Sequence, residues 1–114
     1  MERGSAWEGL GVLVDGLAVK SAVVAGFAEG IIAYWPPDVD EVVLELFNNL
    51  YLQAPGLAYV IIYLSTLDRT FLAIVYDERV LALEVDKRVD ARRMGERLLR
   101  IFEGLERAKA SWSS

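Results

Sequence analysis

The sequence predicts an α+β fold built on a five-stranded antiparallel sheet, in the order helix, two strands, helix, three strands, helix. The main observation is a series of three strand-like runs between Leu57 and Val85. The turns between these runs are too short for anything but antiparallel neighbours, so the runs form a meander. The first two runs are apolar almost throughout, which indicates a sheet that is covered on both faces.

Composition narrows the classes of function. The chain of 114 residues has no cysteine and no histidine, and its formal net charge is −5. Disulfides, thiolate metal sites and the commonest general base are therefore excluded. The negative net charge argues against a nucleic-acid partner. With no apolar run near the ~18 residues of a membrane span and no signal peptide, we expect one cytoplasmic domain over residues 1–114. The scarcity of Asn, Gln and Cys is typical of a thermophilic source.

Five runs rich in β-branched, aromatic and small apolar residues are predicted as strands. They are residues 20–27, 31–35, 57–64, 70–76 and 80–85. Ala28–Gly30 forms the first turn, in which Gly30 is free to adopt a positive φ. Pro36 ends the second strand, because proline cannot donate to a ladder. The long apolar run Leu57–Leu64 is expected at a sheet edge, where it could pair with another chain.

The N-terminal segment has two interpretations. Ser5 and Glu8 have the spacing of a capping box, and apolar residues then recur at helical intervals, which favours a helix ending near Gly16. However, Gly9 and Gly11 would each cost such a helix about 1 kcal/mol. Residues 12–19, centred on Asp15–Gly16, also fit a hairpin with an Asp-Gly turn. The helix is favoured, and the hairpin stays open.

A central helix is predicted over residues 39–53, capped by Asp38. One face would lie on the sheet: Val39, Val42, Val43, Leu46 and Leu50. Leu44, Phe47 and Tyr51 widen the apolar arc beyond the roughly 100° stripe that a helix on a small sheet needs. Either a deep position in the fold hides this surplus, or it forms a self-association surface. We favour self-association.

A last helix is predicted from a cap at Asp86 or Asp90 to about Ala108, with 110–114 as a frayed tail. Its expected buried face consists of Met94, Leu98, Ile101, Phe102 and Leu105. Cations cluster at its start: Arg88, Arg92, Arg93 and Arg97. This basic group could contact an acidic partner or the acidic half of a second copy. Alternatively, it is a solvated helix face.

The order of elements, over essentially the whole chain, resembles the roadblock/LC7 family. Two stretches carry the likeness. Residues 20–33 contain a small-apolar strand, a turn closed by Gly30 and a returning strand. Residues 60–86 contain an acid-base turn at Asp68–Arg69 and a closing strand that ends in Asp86 before a basic helix. The resemblance implies a roadblock- or profilin-like sheet with one helix on one face and two on the other.

The resemblance also implies a function. Family members are non-enzymatic regulators or scaffolds for Ras-like GTPases, or light chains of motor complexes, and their dimers join central helices and the edge strands that follow. We therefore expect a homodimer, or a pair with a paralogous roadblock-like chain, that contacts a small GTPase or an actin-like protein. The expected dimer interface consists of Leu44, Phe47, Tyr51, Tyr59, Ile61 and Tyr63.

We expect no catalytic residue, no cofactor and no metal site, since neither a phosphate-binding loop nor a nucleophile–base pair is evident. The alternative to an interaction module is a small-ligand sensor of profilin-like or PAS-like shape. Such a sensor needs a polar group inside an apolar cavity, and the sequence offers few candidates beyond tyrosine hydroxyls.

Overall fold

The computed structural model describes the backbone of residues 4–50 and 56–113, and the side chains of 4–50 and 56–108. In these ranges the strands are β1 Ser5–Ala6, β2 Val19–Gly26, β3 Gly30–Trp35, β4 Ala58–Leu64, β5 Arg69–Tyr76 and β6 Arg79–Val85. The α-helices are α1 Glu41–Asn49 and α2 Ala91–Ser113. A 3-10 helix spans Glu8–Val12.

The strands of the described residues form one sheet in the order β1-β3-β2-β6-β5-β4. The α+β class and the antiparallel meander β4–β5–β6 are confirmed. The prediction of five strands, all antiparallel, is wrong because Ser5 and Ala6 add a sixth strand that runs parallel to β3. The positive φ of Gly30, 73°, closes the β2–β3 turn as expected.

Neither interpretation of the N-terminal segment is correct. Ser5 is extended in β1 and cannot cap a helix, and the only helical part is the short 3-10 turn at Glu8–Val12. Glycines at two of its positions remove the side chains that would stabilise an α-helix. Asp15 and Gly16 do form a turn, in which Asp15 Oδ1 accepts from the N–H of Leu17 and Val19. That turn leads into β2 rather than joining two strands of a hairpin.

The central helix is shorter than predicted and begins later. Asp40, not Asp38, is its N-cap, and Asp40 Oδ1 accepts from the Val42 N–H at 3.0 Å. The described helix ends at Asn49, and the predicted positions 51–53 lie outside the described residues. Its fully buried residues are Val43, Leu44 and Phe47. The predicted buried face was therefore wrong at Val42, which is 44% exposed, whereas Leu44 and Phe47 of the supposed surplus arc lie in the core.

Each face of the sheet carries its own apolar core. On one face α1 lies over β2 and β3, and the Phe47 ring meets the Phe71 ring of β5 edge-on at 5.4 Å. On the other face α2 lies over β4 and β5, and the 3-10 helix lies beside β3. Coverage of both faces is therefore confirmed. The expected third α-helix is absent from the described residues, with only a 3-10 turn in its place.

The last helix, α2, extends past the predicted end at Ala108 to Ser113, so the predicted frayed tail is wrong for the described backbone. Asp90 Oδ1 accepts from the Arg93 N–H at its start. Of its predicted buried face, Met94, Leu98 and Phe102 pack against the sheet or line the surface beside it. Ile101 and Leu105 remain 58% and 61% exposed, so their predicted burial is wrong.

Candidate protein-interaction surfaces

The edge strand β4 has an apolar sequence and incomplete cover. Its seven residues are all half-buried or exposed, whereas five of the eight residues in the neighbouring β5 are buried. Ile61 and Tyr63 are 42% and 57% exposed on the face that carries α2, and Tyr59 on the same face packs under that helix. The predicted position of this strand at a sheet edge is confirmed. One side of its backbone therefore has no neighbouring strand in the described chain.

The structure separates the expected interface residues into two groups. Tyr59, Ile61 and Tyr63 lie on one face of β4. Leu44 and Phe47 lie in the core under α1, with Phe47 only 3% exposed. The helix pattern predicted that Leu44 and Phe47 lie on a surface. That prediction is wrong, because the sheet of the same chain covers both residues. Tyr51 lies outside the described residues.

Three polar side chains contact one another near the C-terminal end of β4. The Tyr63 hydroxyl donates to Asp68 Oδ1 at 2.8 Å, and Lys87 forms an ion pair with the other oxygen of Asp68. The hydrogen bond to Asp68 raises the pKa of Tyr63, and the Lys87 ammonium lowers the pKa of Asp68. These contacts join the β4–β5 turn to the loop between β6 and α2. Since all three side chains are largely exposed, their effect on stability is small.

The predicted basic group is only partly continuous. Arg93 and Arg97 are exposed one turn apart on α2, whereas Arg92 lies about 100° around the helix from Arg93. Arg88 lies before the helix, and its Nε donates to Asp86 Oδ1 at 3.0 Å. Arg93 and Arg97 make no ion pair with the described residues. The structure therefore brings two of the four arginines together as one unpaired positive surface.

An apolar groove lies between the 3-10 segment and α2, on the face of the sheet that α2 covers. Its volume is about 220 Å³. The lining residues include Leu10, Leu13, Val24, Ile74, Tyr76, Arg79, Leu81 and Phe102. Sequence reasoning missed it, because an α-helix was expected to fill this position. The glycines of the N-terminal segment were the signal that such a helix would not form.

The most buried polar contact stabilises the fold and is not part of an interaction surface. Arg69 binds Glu84 through two hydrogen bonds, and its Nη1 reaches Asp40 Oδ2 at 2.8 Å. Ser21 Oγ is buried with no hydrogen-bond partner among the described atoms. In the described part of the chain, no group of three or more acidic side chains is arranged to hold a metal ion. No helix within the described residues is long and apolar enough to cross a membrane.

Comparison of the chain with protein-family models, with curated proteins and with solved structures gives no match. The class of protein that fold and surfaces define is therefore an α+β domain with an open sheet edge and an apolar groove. The likeness to the roadblock/LC7 family stays a prediction from the sequence.

Proposed function

We propose that this protein is a non-enzymatic, dimeric interaction module that regulates or scaffolds a Ras-like small GTPase or a cytoskeletal system in the cytoplasm. The observation that carries the proposal is the incomplete cover of β4, an apolar strand with no fully buried residue. An exposed apolar edge favours pairing with another chain. The identity of the partner class rests on the roadblock/LC7 resemblance alone.

The proposed dimer pairs β4 with β4 of a second copy about a two-fold axis. Such an interface is self-complementary, because the same patch serves both subunits. It would give the outer backbone groups of β4 their hydrogen-bond partners and would cover Ile61 and Tyr63. An interface of standard size buries about 800 Å² per partner, which is enough area to cover the side chains on both faces of β4. Leu44 and Phe47 take no part in it, since both are buried in the subunit.

Light scattering at micromolar concentration tests the dimer. We expect the wild-type chain to have the mass of two chains and Ile61→Arg to have the mass of one, because an arginine at the centre of the contact would be desolvated without a partner. Val42→Arg is the matched control, because Val42 is an apolar side chain of similar exposure, 44%, on the helix over the other half of the sheet. It should remain dimeric. A wild-type mass of one chain would contradict the proposal.

The sensor alternative is favoured by one observation, the groove beside α2. Small-ligand sites usually enclose about 300–1,000 Å³ and contain convergent polar groups. This groove holds about 220 Å³, and only Tyr76 and Arg79 among the lining residues named above carry polar side-chain atoms. A groove of this size and lining fits apolar side chains of a protein better than a polar metabolite. Pull-down with purified GTPases and actin-like proteins distinguishes the two functions, since only the interaction module retains a protein.

A further inference from the structure

The apolar groove on the α2 face opens at one end into a polar recess. Its floor includes Val24 of β2 and Leu81 of β6, which are paired residues of neighbouring strands and are both only half-buried. Two positions further along this pair of strands, Gly26 lies opposite Arg79. Arg79 and Tyr76 line both the groove and the recess, which has a volume of about 560 Å³. The groove and the recess therefore form one continuous depression.

The recess is lined by carboxylates. The Glu29 carboxylate occupies the place that a side chain on Gly26 would fill, and the next residue near that place is Ile32. Because Ile32 packs against the core on the α2 face, the Glu29 carboxylate lies on the same side of the sheet as the groove. Asp77 and Glu78 of the β5–β6 turn also line the recess. None of these three carboxylates forms an ion pair with a described residue.

The last helix adds an apolar wall and a further carboxylate. Phe102 lines the groove, and its ring lies 6.2 Å from the ring of Tyr76. Glu106 follows one turn later on α2, and its carboxylate is the main cause of the raised pKa of Tyr76, which places it beside the Tyr76 hydroxyl. Arg79 is the only cation among the described residues that line the recess. The depression therefore has an apolar end and a negatively charged end.

We propose that this depression binds a segment of a partner protein in which one or two apolar side chains are followed by a lysine or an arginine. The inference rests on the proposed function and deepens it, since it names the chemistry of the partner that the module binds. The groove of about 220 Å³ is smaller than the roughly 300 Å³ at which small-ligand sites begin, so it suits side chains. These side chains would cover Val24 and Leu81, and the cation would meet Glu29 and Glu78.

Charge selects this partner. The carboxylates of the recess outnumber its single cation, and opposite charges at a contact steer association, whereas like charges disfavour it. An acidic segment would therefore be repelled from the recess, even if its apolar side chains fitted the groove. A second copy that brought the same depression to the contact would place carboxylates against carboxylates. The partner is therefore a basic segment of a different protein.

Selection from a displayed library of short random peptides tests the proposal. We expect selection on the wild-type protein to enrich Leu, Ile or Phe followed by Lys or Arg. Fluorescence anisotropy of one enriched peptide should then give about tenfold weaker binding to the double variant Glu29→Gln/Glu78→Gln, in which both positions are exposed, and to Leu81→Gln. Binding should also weaken with salt, as the Debye length falls below ~8 Å. Circular dichroism checks that Leu81→Gln, a change in a central strand, is folded.

Asp38→Asn is the matched control. Asp38 is an exposed carboxylate that follows Trp35, at the opposite end of the β2–β3 pair from Gly26 and the recess. This variant should bind the peptide as the wild type does. Enrichment of acidic residues, failure to enrich any peptide, or equal binding by the double variant and the wild type overturns the proposal.

Two further measurements separate this proposal from the β4 dimer. Conversion of a wild-type dimer to monomers by Leu81→Gln would assign the groove to a second copy, and would also overturn the proposal. Ile61→Arg should abolish the β4 dimer and leave peptide binding unchanged. Peptide binding by a wild-type chain that is monomeric would contradict the dimer and support the basic partner segment.

Discussion

The guanidinium of Arg69 donates hydrogen bonds to both carboxylate oxygens of Glu84, with Nε–Oε2 at 2.9 Å and Nη2–Oε1 at 2.6 Å. Arg69 begins β5, and Glu84 lies near the end of β6, so the pair joins neighbouring strands. The third nitrogen, Nη1, binds Asp40, the N-cap of α1. One side chain therefore fixes the start of α1 to two strands of the sheet. The paired carboxylates and the arginine's hydrogen bonds raise the pKa of Arg69, chiefly through Glu84.

Loss of this contact should destabilise the subunit. Arg69→Met leaves Glu84, whose side chain is 9% exposed, with no cationic partner. An unsatisfied buried polar group costs roughly 1–3 kcal/mol, and we expect the free energy of unfolding measured in urea to fall by that amount. Arg69→Lys should recover only part of the loss, since an ammonium cannot form two parallel bonds to one carboxylate.

Lys87→Met is the control for this prediction, because the Lys87–Asp68 ion pair is exposed on both sides. Its effect should stay within about 0.5 kcal/mol. An Arg69→Met protein as stable as the wild type would show that Glu84 finds water or another donor.

The sheet could be predicted from sequence because its strands are dense in β-branched and aromatic residues, and because its turns are short enough to decide the pairing. The side-chain environment of α1 could not be predicted in the same way, and Phe47 shows why. A hydrophobic pattern on a helix gives the width of the apolar arc, but not which part of it the sheet occupies. The helix starts at Asp40 rather than Asp38, and its buried face is centred on Val43 and Phe47.

The candidate site was predicted in part for a similar reason. The β4 edge followed from the apolar run itself and from its position at the end of a meander. The groove was not predicted, because an α-helix was expected where Glu8–Val12 forms a short 3-10 helix. Local propensity at Gly9 and Gly11 opposed that helix, but the capping pattern at Ser5 and Glu8 outweighed it in the prediction. Ser5 instead pairs with Ala33 of β3, and a contact so far along the chain is not visible in the local sequence pattern.

Acid should destabilise the protein through Asp40, which caps α1, and Asp15, which stabilises the turn before β2. The backbone N–H of Val42, followed by Arg69, lowers the pKa of Asp40, and the N–H groups of Val19 and Leu17 lower that of Asp15. A carboxyl whose pKa is lower in the folded state stabilises the fold above its unfolded pKa of about 3.9. That contribution is lost as the pH falls through the lowered value. We expect the melting temperature to drop steadily below about pH 4.

Asp40→Asn isolates one of these groups. The amide oxygen can still accept from Val42, so the cap is kept while the titrating charge is removed. The variant should be less stable than the wild type at pH 7, and the gap should narrow as the pH falls from 7 toward 2. Melting curves that stay parallel over this range would rule out a contribution from Asp40.

The β5–β6 turn stores backbone strain that glycine should relieve. Asp77 and Glu78 have φ values of 50° and 61°, as both central residues of a type I′ turn require. A left-handed conformation costs a residue with a Cβ about 1–2 kcal/mol, while glycine loses part of that advantage as chain entropy. Glu78→Gly should therefore raise the free energy of unfolding by about 0.5–1 kcal/mol. Glu78→Gln keeps the Cβ and removes the charge, so a similar gain there would assign the effect to charge instead.

The two glycines of α2 should respond in opposite ways to alanine. A Cβ at Gly95 would lie 2.7 Å from Tyr59 Cδ2 and 3.1 Å from Leu72 Cδ1, so the helix approaches the sheet more closely there than a side chain allows. A Cβ at Gly104 meets no described atom within 4 Å. Alanine in a helix is favoured over glycine by about 1 kcal/mol where nothing obstructs it. Gly104→Ala should therefore raise the free energy of unfolding by up to about 1 kcal/mol.

Gly95→Ala has the same propensity gain but must displace a tyrosine ring or the helix itself. Overpacking of this kind costs about 1–3 kcal/mol, so the net change should be a loss of stability in urea unfolding. The displacement should also reach β4, because Tyr59 is part of that strand. Amide hydrogen exchange should accordingly be faster along residues 58–64 in Gly95→Ala and unchanged in Gly104→Ala. Equal stabilisation by both substitutions would mean that α2 does not press against the edge strand at Gly95.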